Sequence, residues 1–271
     1  MTALRVTNKE KGFSLIELLV VIAIIAILLS ILLPGVRMAK DKGKQVVCSC
    51  NQRQIATAIR CYAADWNDYI NYSSNYGLWD DAWKGNDDVN EYKPDSSMAY
   101  WGVSYRDYTS GRKVFHCPAH KRVDDWPELS ESWCASNKEY FYYSSYGLNG
   151  YISPVYPDVD DEVEKPIRFT SFKQPGQLIL FQDHIEQRMD DIDTDMLCIG
   201  DGGGWVNLRQ WRPAAEGGTG FQDKYWFDYD TTNEVFRHSD RCVVTFADGH
   251  IESVKRTNGE NIPISWYKYE R

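Results

Sequence analysis

Two side chains near the C-terminal end have the types and spacing of an acid–base pair. His238 is followed, after nine residues, by Asp248 and Gly249, an H-x9-D-G pattern. General acid–base catalysis needs the imidazole and the carboxylate within hydrogen-bond distance, beside a pocket and a nucleophile or metal. The chain has no G-x-S-x-G, H-E-x-x-H or phosphate-loop motif to supply those partners. We therefore predict no enzymatic activity and no catalytic residue: Asp248 forms the turn of a hairpin, and His238 fixes the preceding loop to that hairpin.

An acidic segment, DDIDTD, places carboxylates at alternate positions, as at the start of a calcium-binding loop. The residues are Asp191, Asp193 and Asp195. An EF-hand loop then needs glycine at its sixth position and glutamate at its twelfth, where this chain has Met196 and Gly202. A solvated acidic loop is the favoured interpretation, and calcium binding stays open. We predict no cofactor.

The cysteines number seven, so at least one thiol is free or pairs between chains. Cys48 and Cys50 lie two positions apart on a predicted helix and cannot face each other. Cys117 and Cys134 bracket a short loop and are the candidates for a disulfide in an oxidising compartment. A C-x-C together with a C-P-x-H could instead suggest zinc, but this spacing fits no standard site, so we predict no metal.

The chain that carries these groups starts with an apolar segment near the N-terminus. Phe13 to Leu33 carries a single charge, Glu17, in twenty-one residues. A helix of that length spans about 31 Å, which matches a hydrocarbon core of about 30 Å. A secretory signal peptide has a shorter apolar stretch and a small-residue cleavage site after it, and no such site follows here. The segment is predicted to cross the membrane and to be retained.

The charges on either side predict how the segment is oriented. The first twelve residues carry a net charge of +2 and the remaining 259 carry −11. Positive flanks stay in the cytoplasm, so the larger part of the chain is predicted to lie outside it. The acidic balance, with a pI of about 5.1, also argues against a nucleic-acid partner.

The residues around the start of this segment resemble a known family. Lys11-Gly12-Phe13-Ser14-Leu15-Ile16-Glu17, the apolar run and then Pro34 are similar to the N-terminus of type IV prepilins and type II secretion pseudopilins. The resemblance implies that a membrane aspartyl protease, the prepilin peptidase, cleaves after Gly12 and N-methylates Phe13. It makes Glu17 the family's glutamate at the fifth mature position. It also implies an inner-membrane assembly platform with its ATPase, and other subunits of the filament, as partners.

The H-x9-D-G pattern carries a second resemblance. Residues 238–249 resemble the prepilin-type processing-associated H-X9-DG domain, which occurs on the same kind of stem. FHCP at 115–118, SYGLNGY at 145–151 and NQRQIATAIRCYAADWNDY at 51–69 are similar to further parts of that family. The aromatic-rich segments between them match nothing in the resemblance.

Patterning beyond the membrane predicts one helix and several strands. Apolar residues at three- and four-residue steps predict an amphipathic helix. We expect this helix to cover a sheet and to end at Asn67-Asp68. The apolar residues of its stripe are Val47, Ile55, Ala58, Ile59, Tyr62 and Trp66. KVFHC at 113–117 and QLILF at 177–181 are predicted strands. Alternating residues on both sides of Asp248-Gly249 predict a β-hairpin.

These observations predict an α+β, pilin-like fold, in which a long N-terminal helix packs on an antiparallel sheet with long loop insertions. We expect a cytoplasmic leader at 1–12, a transmembrane helix at 13–34 and a periplasmic or extracellular domain at 35–271. The predicted function is that of a structural subunit of a type II secretion pseudopilus or type IV pilus-like filament, held in the inner membrane by one span. A glycan-binding adhesin on the same stem is the alternative, with exposed aromatic residues such as Trp79 and Trp83 as its candidates.

Overall fold

A computed structural model describes the protein at residues 14–70, 100–120, 143–149, 152, 167–184, 188–189, 235–257 and 262–267. Within these ranges the chain contains one long helix, five strands and several short 3₁₀ turns. The chain divides into two compact units, Met1–Lys42 and Gly43–Arg271. The helix contributes residues to both.

The helix, α1, spans Leu15–Asp65 and contains Pro34. Its apolar side chains from Leu15 to Leu33 are exposed, and its buried residues begin only at Gln45. The helix ends as predicted, because Asn67 and Asp68 follow it with φ of 54° and 67°. Asparagine and aspartate tolerate this left-handed region better than most residues, and a helix cannot continue through it.

The strands form a single sheet, mainly antiparallel. They are β1 Tyr146–Asn149, β2 Ile179–Asp183, β3 Arg188–Met189, β4 Arg241–Phe246 and β5 Ile251–Lys255. Their order across the sheet is β3-β1-β2-β4-β5. β1, β2, β4 and β5 pair antiparallel, and the short β3 pairs parallel with β1. With the long helix, this arrangement is consistent with the predicted α+β, pilin-like fold.

Two apolar clusters cover the sheet. Val243 in β4 belongs to the first cluster, whereas its neighbours Cys242 and Val244 belong to the second. Successive side chains of a strand point to opposite faces, so the clusters lie on opposite faces of the sheet. The first cluster includes α1 residues together with Trp101 and Phe115. The second half of α1 therefore covers one face of the sheet, as predicted.

The predicted stripe of α1 is confirmed at its centre, where Ile55 and Ile59 are buried, but not at its two ends. Val47 and Trp66 are exposed, at 49% and 57%. Cys48 and Gln52 are buried instead. The Gln52 side chain donates to the Val243 carbonyl oxygen at 3.1 Å, which satisfies its amide inside the core. Because periodicity scores apolar residues only, it missed this polar side chain.

The predicted strand at 113–117 is wrong, whereas the one at 177–181 is confirmed as β2 with a two-residue shift. A 3₁₀ turn occupies Arg112–Phe115. Val114 and Phe115 are consecutive and both buried in the first cluster. A strand on the surface of a sheet would point these two side chains to opposite faces. The turn lets both contribute to the same core.

The predicted hairpin is confirmed by β4 and β5. Between the strands, the Gly249 N–H donates to the Phe246 carbonyl oxygen at 2.9 Å, and Gly249 has a φ of 92°. The Asp248 carboxylate accepts hydrogen bonds from the backbone N–H and the ring Nδ1 of His250, at 2.9 and 2.6 Å. Asp248 and Gly249 thus form the turn.

Gly249→Val should destabilise the domain by about 1–3 kcal/mol, because a β-branched residue is strained at positive φ. No atom lies within 4 Å of a Cβ added at Gly249, so the effect isolates backbone strain. Gly43→Ala is the matched control, since Gly43 lies in α1 with equally open space. That change should be neutral or stabilise by up to about 1 kcal/mol. Urea unfolding of the full chain in detergent measures both, and equal stability of Gly249→Val and the wild type would refute the assigned strain.

Candidate functional site

The start of α1 carries the first candidate residue, Glu17. The Ser14 N–H donates to Glu17 Oε2 at 2.9 Å, and the Glu17 N–H donates to Ser14 Oγ at 3.2 Å. This reciprocal pair is a capping box, which satisfies two of the backbone donors that a helix start leaves open. Gly12 and Phe13 lie outside the described residues, so the cleavage and methylation assigned to them stay predictions.

The first half of α1 is long and apolar enough to cross a membrane, and none of its apolar stretch is buried in the protein. Among the described residues it is the one helix with these properties. Ser30 does not interrupt it, because its hydroxyl donates to the Ile27 carbonyl oxygen at 2.7 Å. Such internal bonding allows a hydroxyl to lie in hydrocarbon at little cost.

The two members of the H-x9-D-G pattern occupy separate sites. Asp248 contacts His250 at the hairpin turn, where both side chains are partly exposed. Although burial raises the pKa of Asp248, the hydrogen bonds from His250 outweigh this and hold the pKa below its usual value. His238 is buried and faces a different carboxylate, that of Asp183. His238 and Asp248 therefore do not form the acid–base pair that was rejected above. The His238 N–H donates to the carbonyl oxygen of Arg241, the first residue of β4, at 3.2 Å, and the imidazole contacts the end of β2.

Four buried side chains meet at the position of His238. They are Cys48, Cys117, Asp183 and His238, whose ligand atoms all lie within 4.8 Å of one another. They come from four segments: the buried face of α1, the residues after the 3₁₀ turn Arg112–Phe115, the end of β2 and the residues before β4. We call these four residues the Cys–Asp–His cluster.

The distances within the Cys–Asp–His cluster are short. Cys48 Sγ lies 3.2 Å from Asp183 Oδ1. His238 Nε2 lies 3.3 Å from Cys117 Sγ and 3.3 Å from Asp183 Oδ2. All four residues are 0 or 1% exposed. One ring nitrogen therefore faces both a sulfur and a carboxylate oxygen inside the protein.

Neighbouring groups hold the cluster in place. Gln52 donates to Asp183 Oδ1 at 3.2 Å and to Cys48 Sγ at 3.7 Å. The Val243 N–H donates to Asp183 Oδ2 at 2.8 Å. The Arg237 Nη2 lies 3.7 Å from Asp183 Oδ1 and donates to two backbone carbonyl oxygens nearby. The carboxylate orientation is thus fixed by contacts to both of its oxygens.

Burial and mutual contacts set the charges of these groups. Burial raises the pKa of Cys48 well above its usual value and also raises that of Asp183. Burial opposes ionisation of Cys117 as well, but the hydrogen bond with Cys48 and the charges of Arg237 and His238 hold its pKa well below the usual value. For His238, burial lowers the pKa, and the contacts with Asp183 and Cys117 outweigh it and raise the pKa. The contact between Cys117 and His238 thus lowers the pKa of the thiol and raises the pKa of the imidazole.

The geometry does not suit a nucleophilic Cys–His–Asp triad. In a triad the carboxylate binds one ring nitrogen and the nucleophile the other. Here Cys117 and Asp183 both approach Nε2 of His238, and Nδ1 has no hydrogen-bond partner among the described residues. The cluster is also closed to solvent. The arrangement instead brings two sulfurs, an oxygen and a nitrogen towards one point, which is the donor set of a metal site.

The sequence does not reveal this cluster, because its members are far apart in the chain. The C-x-C and C-P-x-H pattern that was weighed for zinc contains two of its members, Cys48 and Cys117, but also the exposed Cys50, which lies outside the cluster. Nothing in the sequence singled out Asp183. The capping box, which was not among the predicted features, has a local signal: the S-x-x-E pattern of Ser14 to Glu17 at the start of the apolar run.

Several predicted residues lie outside the described part of the chain. Cys134 is one, so the Cys117–Cys134 disulfide stays a prediction; Cys117 is a free thiol in this structure. The acidic residues 190–195 are others, as are Trp79 and Trp83 of the glycan-binding alternative. The described aromatic residues Tyr100 and Trp101 are buried and give that alternative no support.

Comparison with known proteins bears on the N-terminal segment. Residues 7–33 match the prokaryotic N-terminal methylation motif. No curated protein and no solved structure matches the chain. The match supports a prepilin-type precursor, and with the apolar helix it indicates a membrane-anchored, structural pilin-type subunit rather than an enzyme. The segment 238–249 lies outside the matched residues.

Proposed function

We propose that this protein is a structural subunit of a pilus-like filament, either a type II secretion pseudopilus or a type IV pilus-like fibre. A prepilin peptidase cleaves the precursor between Gly12 and Phe13 and methylates Phe13. The observation that carries the proposal is the methylation motif at residues 7–33, which runs into a helix whose apolar side chains are exposed.

The exposed apolar surface of α1 suits both the precursor in the membrane and the subunit in the assembled filament. Side chains from Leu15 to Leu33 are exposed along α1, with Leu15 at 80% and Ile31 at 74%. An apolar surface of this extent needs lipid or other apolar partners around it. The precursor is surrounded by lipid in the inner membrane, and the assembled subunit by the same helix of neighbouring copies. Association of such helices depends on close packing and polar contacts rather than on the hydrophobic effect alone.

The orientation follows from charge. The leader, with its net charge of +2, stays in the cytoplasm, and the domain at 35–271 lies outside it. Extraction of the subunit from the membrane needs an assembly platform and its ATPase. The H-x9-D-G segment has a structural role in the outer domain. Asp248 and Gly249 shape the hairpin turn, and His238 joins the start of the hairpin to β2.

The chain should be recovered in filaments sheared from cells that carry a prepilin peptidase and a compatible assembly platform. The mature domain is expected on the filaments by immuno-electron microscopy, because the exposed helix of each copy is covered by its neighbours. The same strain without its assembly ATPase is the control and should retain the processed chain in the membrane. If the chain remains in the membrane in both strains while the host's own subunits assemble, the filament role is wrong.

A further inference from the structure

We propose that the Cys–Asp–His cluster binds a zinc ion. Cys48 and Cys117 supply two sulfurs, Asp183 one oxygen and His238 its Nε2 nitrogen. This inference goes beyond the filament role and does not depend on it. Four protein ligands and no access for solvent make the site structural rather than catalytic.

The distances between the ligand atoms agree with a tetrahedral ion. Zinc binds sulfur at about 2.3 Å and nitrogen or oxygen at about 2.0–2.2 Å, so neighbouring ligand atoms lie roughly 3.3–3.8 Å apart around the tetrahedron. His238 Nε2 lies 3.3 Å from Cys117 Sγ and 3.3 Å from Asp183 Oδ2, and Cys48 Sγ lies 3.2 Å from the other Asp183 oxygen, Oδ1. The remaining separations stay within 4.8 Å. Small shifts of the side chains suffice to close the shell.

The way the donors converge distinguishes the cluster from an ordinary hydrogen-bonded core. Nε2 of His238 can carry only one proton, yet Cys117 Sγ and Asp183 Oδ2 both approach it at 3.3 Å. Two acceptors then compete for a single hydrogen. A metal ion resolves this competition, because the neutral ring nitrogen, the thiolate and the carboxylate all direct lone pairs at it.

The charges balance when zinc is present. Two thiolates and one carboxylate contribute three negative charges, and Zn²⁺ contributes two positive ones. The guanidinium of Arg237, whose side chain is 1% exposed and lies 3.7 Å from Asp183, contributes the third. A buried site of zero net charge avoids the large desolvation penalty of an uncompensated ion.

The contacts behind the ligands resemble an outer shell of a metal site. Gln52 donates to Cys48 and Asp183, Tyr146 donates its hydroxyl to Cys48 Sγ at 3.5 Å, and the Val243 N–H donates to Asp183. Donors of this kind fix ligand orientation and moderate the charge on sulfur and oxygen. The ligand atoms themselves select the metal. Two sulfurs and one imidazole nitrogen are soft ligands that favour zinc over magnesium or calcium, which prefer oxygen ligands.

A metal at this position joins four segments that are distant in sequence. It links α1 to the end of β2, to the residues before β4 and to the residues after the 3₁₀ turn at Arg112–Phe115. Structural zinc contributes directly to folding stability, because the site does not exist in the unfolded chain. Zinc also keeps Cys48 and Cys117 from forming disulfides outside the cytoplasm.

Metal analysis of the full chain, purified in detergent without chelators, tests the proposal. The wild type should retain one zinc ion per chain. Cys48→Ser and His238→Ala should each lower zinc affinity by at least about tenfold, since even the loss of an outer-shell partner costs 10–100-fold. The matched controls are Cys50→Ser, an exposed cysteine on the same helix, and His250→Ala at the exposed hairpin turn. Both controls should retain zinc.

A second measurement covers the case in which the ligand variants fail to fold. Wild-type protein stripped with a chelator under reducing conditions should bind Co²⁺ and develop the visible bands of a tetrahedral, thiolate-ligated ion, which zinc then displaces. Absence of these bands in folded wild-type protein overturns the proposal. So does a Cys48–Cys117 disulfide, or the Cys117–Cys134 disulfide that the sequence predicts and that zinc binding by Cys117 excludes, found by peptide mapping of freshly purified protein.

Discussion

Replacing Glu17 with valine should stop filament assembly while membrane insertion and cleavage continue. After cleavage, Phe13 carries a positive α-amino group at the edge of the membrane helix, and Glu17 lies one turn further in. An unpaired carboxylate is costly in that environment. In the proposed filament, a new subunit relieves the cost when its Phe13 amine meets the Glu17 of a subunit already assembled. We expect this contact to set the axial stagger that apolar packing alone leaves loosely specified.

The capping box supplies a sharper control for this prediction. Glu17 also accepts a hydrogen bond from the Ser14 N–H within its own chain. Glutamine preserves the capping box and the side-chain volume but removes the charge. Glu17→Gln should therefore fail to assemble as Glu17→Val does, with sheared filaments reduced at least about tenfold, equivalent to about 1.4 kcal/mol. Normal filaments from Glu17→Gln, with none from Glu17→Val, would show that the cap and not the ion pair matters.

Gly12→Val should block processing almost completely. The family resemblance places the scissile bond after Gly12, where the absence of a side chain lets the backbone lie close to the protease. A branched side chain displaces that bond, and a misplacement of about 1 Å can cost about 100-fold in rate. The precursor should therefore accumulate in the membrane, as followed by gel shift in a strain with the peptidase.

Ala3→Val is the matched control for that variant, because it adds bulk to the leader far from the bond. It should be processed like the wild type. Cleavage of Gly12→Val at the normal rate would place the scissile bond elsewhere. Equal loss in both variants would mean that leader bulk, rather than the residue before the bond, controls processing.

Elements whose signals are local could be predicted from the sequence. The end of α1 follows from Asn67 and Asp68, which take positive φ there. The hairpin follows from Asp248 and Gly249, because glycine at positive φ is what the turn needs. The membrane helix follows from composition alone. In each case a few neighbouring residues determine the conformation.

Elements decided by tertiary contacts could not be predicted. Residues 112–115 form a 3₁₀ turn because Val114 and Phe115 share one core. Gln52 is buried because Thr245 and Val243 satisfy its amide across the helix–sheet interface, with the Thr245 hydroxyl 2.6 Å from Gln52 Oε1. Neither partner is near in sequence, so periodicity could not reveal them.

The Cys–Asp–His cluster depends on tertiary contacts more than any other feature of the fold. Its members are separated along the chain by more than fifty residues each, at Cys48, Cys117, Asp183 and His238. Local spacing identifies metal sites when ligands come in close pairs such as C-x-x-C. Here only the packing of α1 on the sheet brings the ligands together. The candidate site became visible when the fold was known, although His238 was singled out beforehand for another role.

The most direct test of the filament-subunit assignment is the N-terminus of the mature protein. Intact mass and N-terminal sequencing should be measured on the wild-type chain extracted from membranes of a strain with a prepilin peptidase. The mature chain is expected to begin at Phe13 and to carry one methyl group on its α-amine. A chain that still begins at Met1, in a strain that processes its own prepilins, would contradict the filament-subunit assignment.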